Sequence, residues 1–363
     1  MIRKLSSHLT DAVTCFLMNR AQRATRNDVC TAAELESYLA QGEKTTREEF
    51  FAVTPMVGPQ IKGPFLRWNS PLRSGYREND IACARLFLCQ EAWSAPTLVF
   101  LHALMSTHDF GYCRIARRLN RAGWNAVLVH LPFHYSRVPR GCANGVLALT
   151  SNLPRNGETI RQAVKEVRQL LALFRKGGCA QFGLIGTSFG GWIGALLSFL
   201  EKDFSFIALL QPVADVEKAI WESPASKAIC AQLNRASIPA CITRRHAHLT
   251  SPKDGRPLCD PRRILLVGGS YDRIVPIDVL RNLHNTWPGS RLIEVRQGHF
   301  GYSAMGAALR EFQAFSVSGR MLFAAEGARV SAVAAKLDPT GQAQPGNVFS
   351  GEAAAKESLG RQP

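Results

Sequence analysis

Nowhere does the chain approach the ~18 consecutive apolar residues that a membrane-spanning helix requires. Its ten cysteines contain no C-x-x-C pair and no zinc-type spacing, and in 363 residues they are too sparse for a disulfide-built scaffold. Several sit in apolar runs, such as Cys83 and Cys89 in IACARLFLC, where a thiol behaves as a small hydrophobe, so a reduced, cytoplasmic setting is expected. Acidic residues are scarce: 28 Asp and Glu face 44 Lys and Arg, giving a net charge of +16. Such an excess suits nucleic acid, an anionic membrane surface or acidic substrates. No helix-turn-helix, no RNA-recognition signature and no basic stripe with interleaved aromatics is found, so no nucleic-acid partner is expected. Internal repeats are absent too. A composition that is 46% hydrophobic and 20% charged describes a globular chain.

At the N-terminus, MIRKLSSHLTDAVTCFLMNRAQR lacks the unbroken apolar core of ~7–15 residues that a secretory signal needs, because Asp11 and Thr14 interrupt it. Leu5, Leu9, Ala12 and Phe16 recur at spacings of three or four, which predicts an amphipathic helix. Three readings stay open for it. It packs on the main domain, or it makes a peripheral membrane contact helped by Arg3, Lys4, Arg20 and Arg23, or it is a mitochondrial presequence, against which Asp11 counts.

From about Asn79, strand-length apolar runs alternate with stretches of helical period. Ile81–Cys89, Thr97–His102, Asn125–Leu131, Gln181–Ile185, Ser205–Leu210, Ile264–Val267 and Arg291–Val295 read as strands. Tyr112–Ala122, Thr159–Arg175, Phe189–Leu200, Val275–Leu283 and Tyr302–Phe315 read as helices. Near-continuous apolar strands between amphipathic helices predict an α/β fold, a doubly wound and mostly parallel sheet covered on both faces. Residues 1–78 would form a helical N-terminal extension with a first strand region, and 79–315 the main domain. The alternation lapses over about 212–263, which predicts a small helical lid. Residues 316–363, rich in Ala, Gly, Ser and Gln, read as a flexible tail.

One pentapeptide carries chemistry: Gly186-Thr187-Ser188-Phe189-Gly190. The bare G-x-S-x-G pattern is weak, but this copy follows the apolar run Phe182–Ile185 and precedes Trp192–Leu197. That is the strand, sharp turn and helix of a nucleophile elbow. Its neighbouring backbone segments nearly touch, so the positions two before and two after the serine must be glycine or similarly small. A serine hydroxyl needs a base, and the base an orienting acid. On this architecture they follow in the order Ser, acid, His. Asp272 stands after Ile264–Gly269, in the run GGSYDRIVP, and His299 stands after Leu292–Val295. Asp260, Asp278 and Asp215 remain alternatives for the acid.

With the elbow, the GGSYDRIVP segment and the closing Gly298-His299 in this order, the chain resembles the α/β-hydrolases over about 235 residues, from Asn79 to Phe315. The resemblance implies a serine hydrolase with Ser188, Asp272 and His299 as its triad, using neither metal nor organic cofactor. A carboxylic ester, small or lipid-like, is the expected substrate class. An acyltransferase or thioesterase on the same triad, and a non-catalytic binding protein on this fold, are the alternatives. The resemblance also implies an oxyanion hole from the Phe189 amide and one from the loop after Thr97–His102. There the chain departs from the family: it reads His102-Ala103-Leu104-Met105 where most relatives carry His-Gly, and Leu104, with Ala103 as the alternative, is expected to present the second amide.

A further loop, Leu131-Pro132-Phe133-His134-Tyr135-Ser136-Arg137-Val138-Pro139-Arg140-Gly141, leaves a strand on the predicted active face and resembles a poorly characterised branch of the same superfamily. His134, Arg137 and Arg140 are candidates to receive an anionic group of a substrate. Twelve of the basic residues fall within 110–180 against only two acids there, Glu158 and Glu166, and a solvated helix surface accounts for most of them.

Overall fold

In a computed structural model, residues 2–25 and 28–318 are described. Residues 1–313 form one compact unit; a second begins at Ala314, and almost all of the predicted tail, 316–363, lies outside the described residues. The first unit is built on a nine-stranded sheet: β1 (Val57–Lys62), β2 (Phe65–Asn69), β3 (Ile81–Phe87), β4 (Thr97–Leu101), β5 (Asn125–His130), β6 (Phe182–Thr187), β7 (Phe204–Leu210), β8 (Ile264–Gly269) and β9 (Arg291–Val295). Its spatial order is β1-β2-β3-β5-β4-β6-β7-β8-β9. The pairs from β5 to β9 are parallel, and β1, β2 and β3 join antiparallel at one edge. This is the α/β architecture expected. All of β4, β5 and β8 is buried, as strands covered on both faces must be. Strands β1 and β2 lie within residues 1–78, where the sequence reading placed a first strand region, and extend the sheet upstream of Ile81.

Helices α1 (Ile2–Arg23), α2 (Ala32–Glu43) and α3 (Arg47–Phe50) precede the sheet. The flanking layers hold α4 (Phe110–Arg121), α5 (Leu153–Lys176), α6 (Phe189–Ser198), α10 (Ile277–Thr286) and, as far as Gln313, α11 (Ser303–Ser318), while α7 (Val216–Trp221), α8 (Lys227–Arg235) and α9 (Ala247–Thr250) fall in the insertion between β7 and β8. Local chemistry sets their starts. Thr31 and Glu34 close a capping box on α2, and the Asn152 side chain accepts the Arg155 amide at 3.1 Å to begin α5. The insertion expected over 212–263 is made of short helices and 3₁₀ turns.

Helix α1 forms where the periodicity placed it, but it sits with its polar side inward. Asp11, Cys15, Asn19 and Gln22 face the body of the protein, whereas Leu5, Leu9 and Phe16 face solvent. Asn19 joins the helix to the insertion: its amide donates to the Pro224 carbonyl at 2.9 Å and its oxygen accepts the Ala228 amide at 2.7 Å. Hydrogen bonds at Asp11 and Asn19, beside packing of Cys15 and Ala21, hold this orientation.

The basic stretch also finds partners. Five of its arginines, at 137, 155, 161, 168 and 175, form ion pairs with Glu166, Asp28, Glu158, Glu201 and Asp203. Arg114, Arg117, Arg118 and Arg121 are exposed on α4.

Candidate active site

Strand order reverses at β4: the chain steps from β4 to β5 on one side, then crosses back to β6 on the other. Loops leaving the carboxyl ends of β4 and β6 therefore face each other across a crevice, the usual place for a ligand in such sheets. Ser188 stands directly after β6 with φ 51° and ψ −111°, a strained backbone for a non-glycine residue. The glycines around it are required by contact. A Cβ on Gly186 would lie 2.4 Å from the Gly190 carbonyl oxygen, and one on Gly190 would lie 2.2 Å from that of Leu101. The Gly190 amide donates to the His102 carbonyl at 3.1 Å, which ties the turn to the loop after β4.

The three residues that sequence order singled out are brought together. His299 Nε2 lies 2.9 Å from Ser188 Oγ, and its Nδ1 lies 2.7 Å from Asp272 Oδ2. With Nδ1 donating to the carboxylate, Nε2 is free to accept the serine proton. All three side chains are buried. Burial favours a neutral imidazole, but the charge and hydrogen bond of Asp272, with the more distant charge of Asp11, outweigh it and raise the His299 pKa above its ordinary 6.5. The other Oδ of Asp272 accepts the Ile274 and Val275 amides at 2.8 and 2.9 Å, fixing the carboxylate. The alternative acids lie elsewhere: Asp215 caps α7, Asp260 pairs with Arg262, and Asp278 pairs with Arg281.

Phe189 is the first residue of α6, so its N–H has no carbonyl one turn back to reach. Leu104 lines the same cavity as Ser188 and His299, as does Ala103, and neither amide of this pair donates to a backbone acceptor among the described residues. The loop is held one residue further on. Met105, at φ 57°, donates its amide to His134 Nε2 at 2.9 Å.

That contact corrects the expectation for His134. Its ring is fully buried, with Nδ1 on the Pro132 carbonyl at 2.8 Å, and burial pushes its pKa down to about 4. It supports the Leu104 loop and does not reach the cavity. Arg137 is likewise no substrate clamp. It is fully buried and forms a two-pronged pair with Glu166 at 2.5 and 2.8 Å, with further bonds to the carbonyls of His130 and Asn79. Arg140 is exposed and does not line the cavity. The substrate-binding role expected for these three is withdrawn, because none of them faces the space beside Ser188.

Three residues that sequence reasoning passed over support the histidine. Gln211 donates to Asp272 Oδ2 at 2.6 Å and to the Gly298 carbonyl at 2.8 Å. Gln297 donates to Gln211 at 3.0 Å and accepts the Ala304 amide at 3.0 Å. Asp11 of α1 accepts the His299 amide at 3.0 Å and the Phe300 amide at 3.2 Å. Its approach explains Gly298, where a Cβ would fall 2.5 Å from the Asp11 carboxylate.

The cavity over Ser188 has a volume of about 150 Å³. Its walls come from the insertion (Val216, Ile220, Ile229), from α2 (Leu35, Leu39), from Met18 of α1 and from Trp192. His246 also lines it; burial, followed by the charge of His248, lowers its pKa to about 4, so it adds no charge at neutral pH. Among the described residues no group of three or more His, Cys, Asp or Glu side chains is placed to hold a metal ion.

No family model matches the chain. An uncharacterized protein of Mycobacterium tuberculosis is 25% identical over 212 residues, which are 57% of this chain and 50% of the relative; the chain thus spans about half the length of the curated relatives it matches. Among solved structures, acetyl xylan esterase 1 from a Thermoanaerobacterium species is similar with a TM-score of 0.53 and 15% identity, covering 80% of this chain and 95% of that one. An acetyl xylan esterase from a Paenibacillus species gives 0.51 and 13%, covering 80% and 98%. The parallel sheet, its strand order and these likenesses together show that the chain has the fold of the α/β-hydrolase superfamily.

Proposed function

We propose that this protein is a serine hydrolase that cleaves carboxylic esters carrying an apolar acyl or alcohol group. The observation that carries the reading is the hydrogen-bonded chain Ser188–His299–Asp272 at one end of an apolar cavity. Ser188 Oγ attacks the ester carbonyl carbon while His299 Nε2 takes its proton. The amides of Phe189 and Leu104 receive the developing oxyanion, and the positive end of α6 adds to that stabilisation. Collapse of the tetrahedral intermediate breaks the C–O bond, and His299 returns the proton to the leaving alkoxide. Water, deprotonated by the same imidazole, then releases the acid and regenerates the Ser188 hydroxyl.

The cavity lining supports the substrate class. Leu, Ile, Val, Met and Trp side chains surround the position next to Ser188, and among the described residues no Lys, Arg, Asp or Glu lines it. Each methylene buried there contributes about 0.8 kcal/mol, close to fourfold in kcat/KM. A series of p-nitrophenyl esters from acetyl to decanoyl tests this. Rising kcat/KM with chain length until the cavity is filled, and its loss in Ser188→Ala, are expected. A flat series, or turnover that survives Ser188→Ala, contradicts the reading.

A further inference from the structure

The outward row of α1 reads Ile2, Leu5, Leu9, Val13, Phe16, then Arg20 and Arg23, in steps of three and four. Its five apolar members are 51–84% exposed, an unusual state for a contiguous apolar stripe on a globular protein. The helix cannot turn this row inward, because its opposite row is committed: Asp11 holds the His299 loop, and Asn19 holds the insertion. At 22 residues it is ~33 Å long, yet no helix among the described residues is long and apolar enough to cross a membrane.

We propose that α1 seats this protein on an anionic lipid bilayer. The Ile2–Phe16 row enters the headgroup–acyl boundary in the plane of the interface, and Arg20 and Arg23 rest on lipid phosphates. Charge selects this occupant. Arg3, Lys4, Arg20 and Arg23 are all exposed, and the helix's one acid, Asp11, is buried on the other side. A second copy packed antiparallel would set Arg3 and Lys4 against Arg20 and Arg23, which repel. The chain's own C-terminal segment, 319–363, carries five basic and four acidic residues and so no net negative charge to draw it to the basic helix. Long arginine side chains can share a row with apolar residues, because their stems lie along the acyl chains while their heads reach the phosphates. Met18 of the same helix lines the cavity, so a seated α1 places the cavity wall beside the bilayer.

Sedimentation of the full chain with vesicles tests this without reference to turnover. Vesicles of phosphatidylcholine with 30% phosphatidylglycerol are expected to bind the wild type at least tenfold more tightly than phosphatidylcholine alone. Binding to the anionic vesicles should weaken in high salt. The triple variant Leu5→Ser, Leu9→Ser, Phe16→Ser should lose at least tenfold, and Arg20→Gln with Arg23→Gln about fivefold per charge removed. These positions are exposed, so circular dichroism, thermal midpoint and turnover of a water-soluble short-chain ester should match the wild type. No sedimentation of the wild type with anionic vesicles overturns the proposal. So does a wild-type dimer that the triple variant converts to monomer, for that would make a second copy the occupant.

Discussion

Replacing Asp11 separates two things that one carboxylate does for His299. Its Oδ1 accepts both the His299 amide at 3.0 Å and the Phe300 amide at 3.2 Å, and its negative charge contributes to the raised pKa of the imidazole. Asp11→Ala removes the acceptor and leaves two amides facing a void. An unpaired buried amide costs about 1–3 kcal/mol, but the Phe300 amide is only partly buried, and deleting a buried charge returns some desolvation. A net loss of about 1–3 kcal/mol is expected in urea unfolding, read as a lower midpoint at unchanged slope. The histidine loop should also relax away from Ser188. Misplacement of about 1 Å at a reacting group can cost a hundredfold, so kcat/KM should fall about 10–100-fold. Asp11→Asn keeps an oxygen where Oδ1 stands and removes the charge, but it sets an amide nitrogen where Oδ2 also accepts the His299 amide at 3.0 Å. Burial raises the Asp11 pKa, so the ionised group contributes least to stability once pH has passed through its folded value. Asp11→Asn, which keeps one acceptor and sheds the desolvated charge, should therefore lose less stability than Asp11→Ala at pH 7. Its acid limb of kcat/KM against pH should move to lower pH, because an anion that favoured the imidazolium has gone. Wild-type turnover in Asp11→Ala, or an unmoved acid limb in Asp11→Asn, would refute this reasoning.

In the unaltered protein, kcat/KM should rise with pH across a midpoint above 6.5, since the proposed mechanism needs a neutral His299 and its pKa is raised; a midpoint below 6.5 contradicts this. Gly190→Ala would drive a Cβ into the Leu101 carbonyl oxygen, and soluble protein with normal ester turnover would show that the elbow is looser than described. Arg137→Ala leaves Glu166 buried without its partner, so a stability loss of about 3–5 kcal/mol is expected by urea unfolding. If enough of that variant folds to assay, anionic and neutral esters should be affected alike; selective loss of anionic esters would restore Arg137 to substrate binding.

What could be read from the chain, and what could not, divides by the reach of each contact. Strands β4, β5 and β8 were visible because each is a short apolar run, the mark of burial on both faces, whereas β9, only partly buried, was visible from its place in the strand–helix alternation. Ser188, Asp272 and His299 were visible because an elbow imposes glycines on either side, and because each acid or base follows its own strand. His134 and Arg137 misled, since a histidine and an arginine beside the active face look alike whether they meet a substrate, the Met105 amide or Glu166. Nothing local distinguishes these partners. Asp11 is 288 residues from the amide it holds, and only Gly298 hinted that something comes close there. For α1, periodicity identified the apolar row but not which row is covered. That choice is held by Asp11 and Asn19 finding amides and a carbonyl on the body, contacts with no sequence period.

The proposed mechanism requires Ser188 to be a nucleophile activated by His299, with Asp272 orienting the imidazole. Intact-mass spectrometry after treatment with a fluorophosphonate tests it most directly, with peptide mapping to locate the adduct. One adduct per chain is expected, on Ser188, absent from Ser188→Ala and formed far more slowly in His299→Ala. Folded wild-type protein that takes up no adduct, or takes it up at another residue, would contradict it.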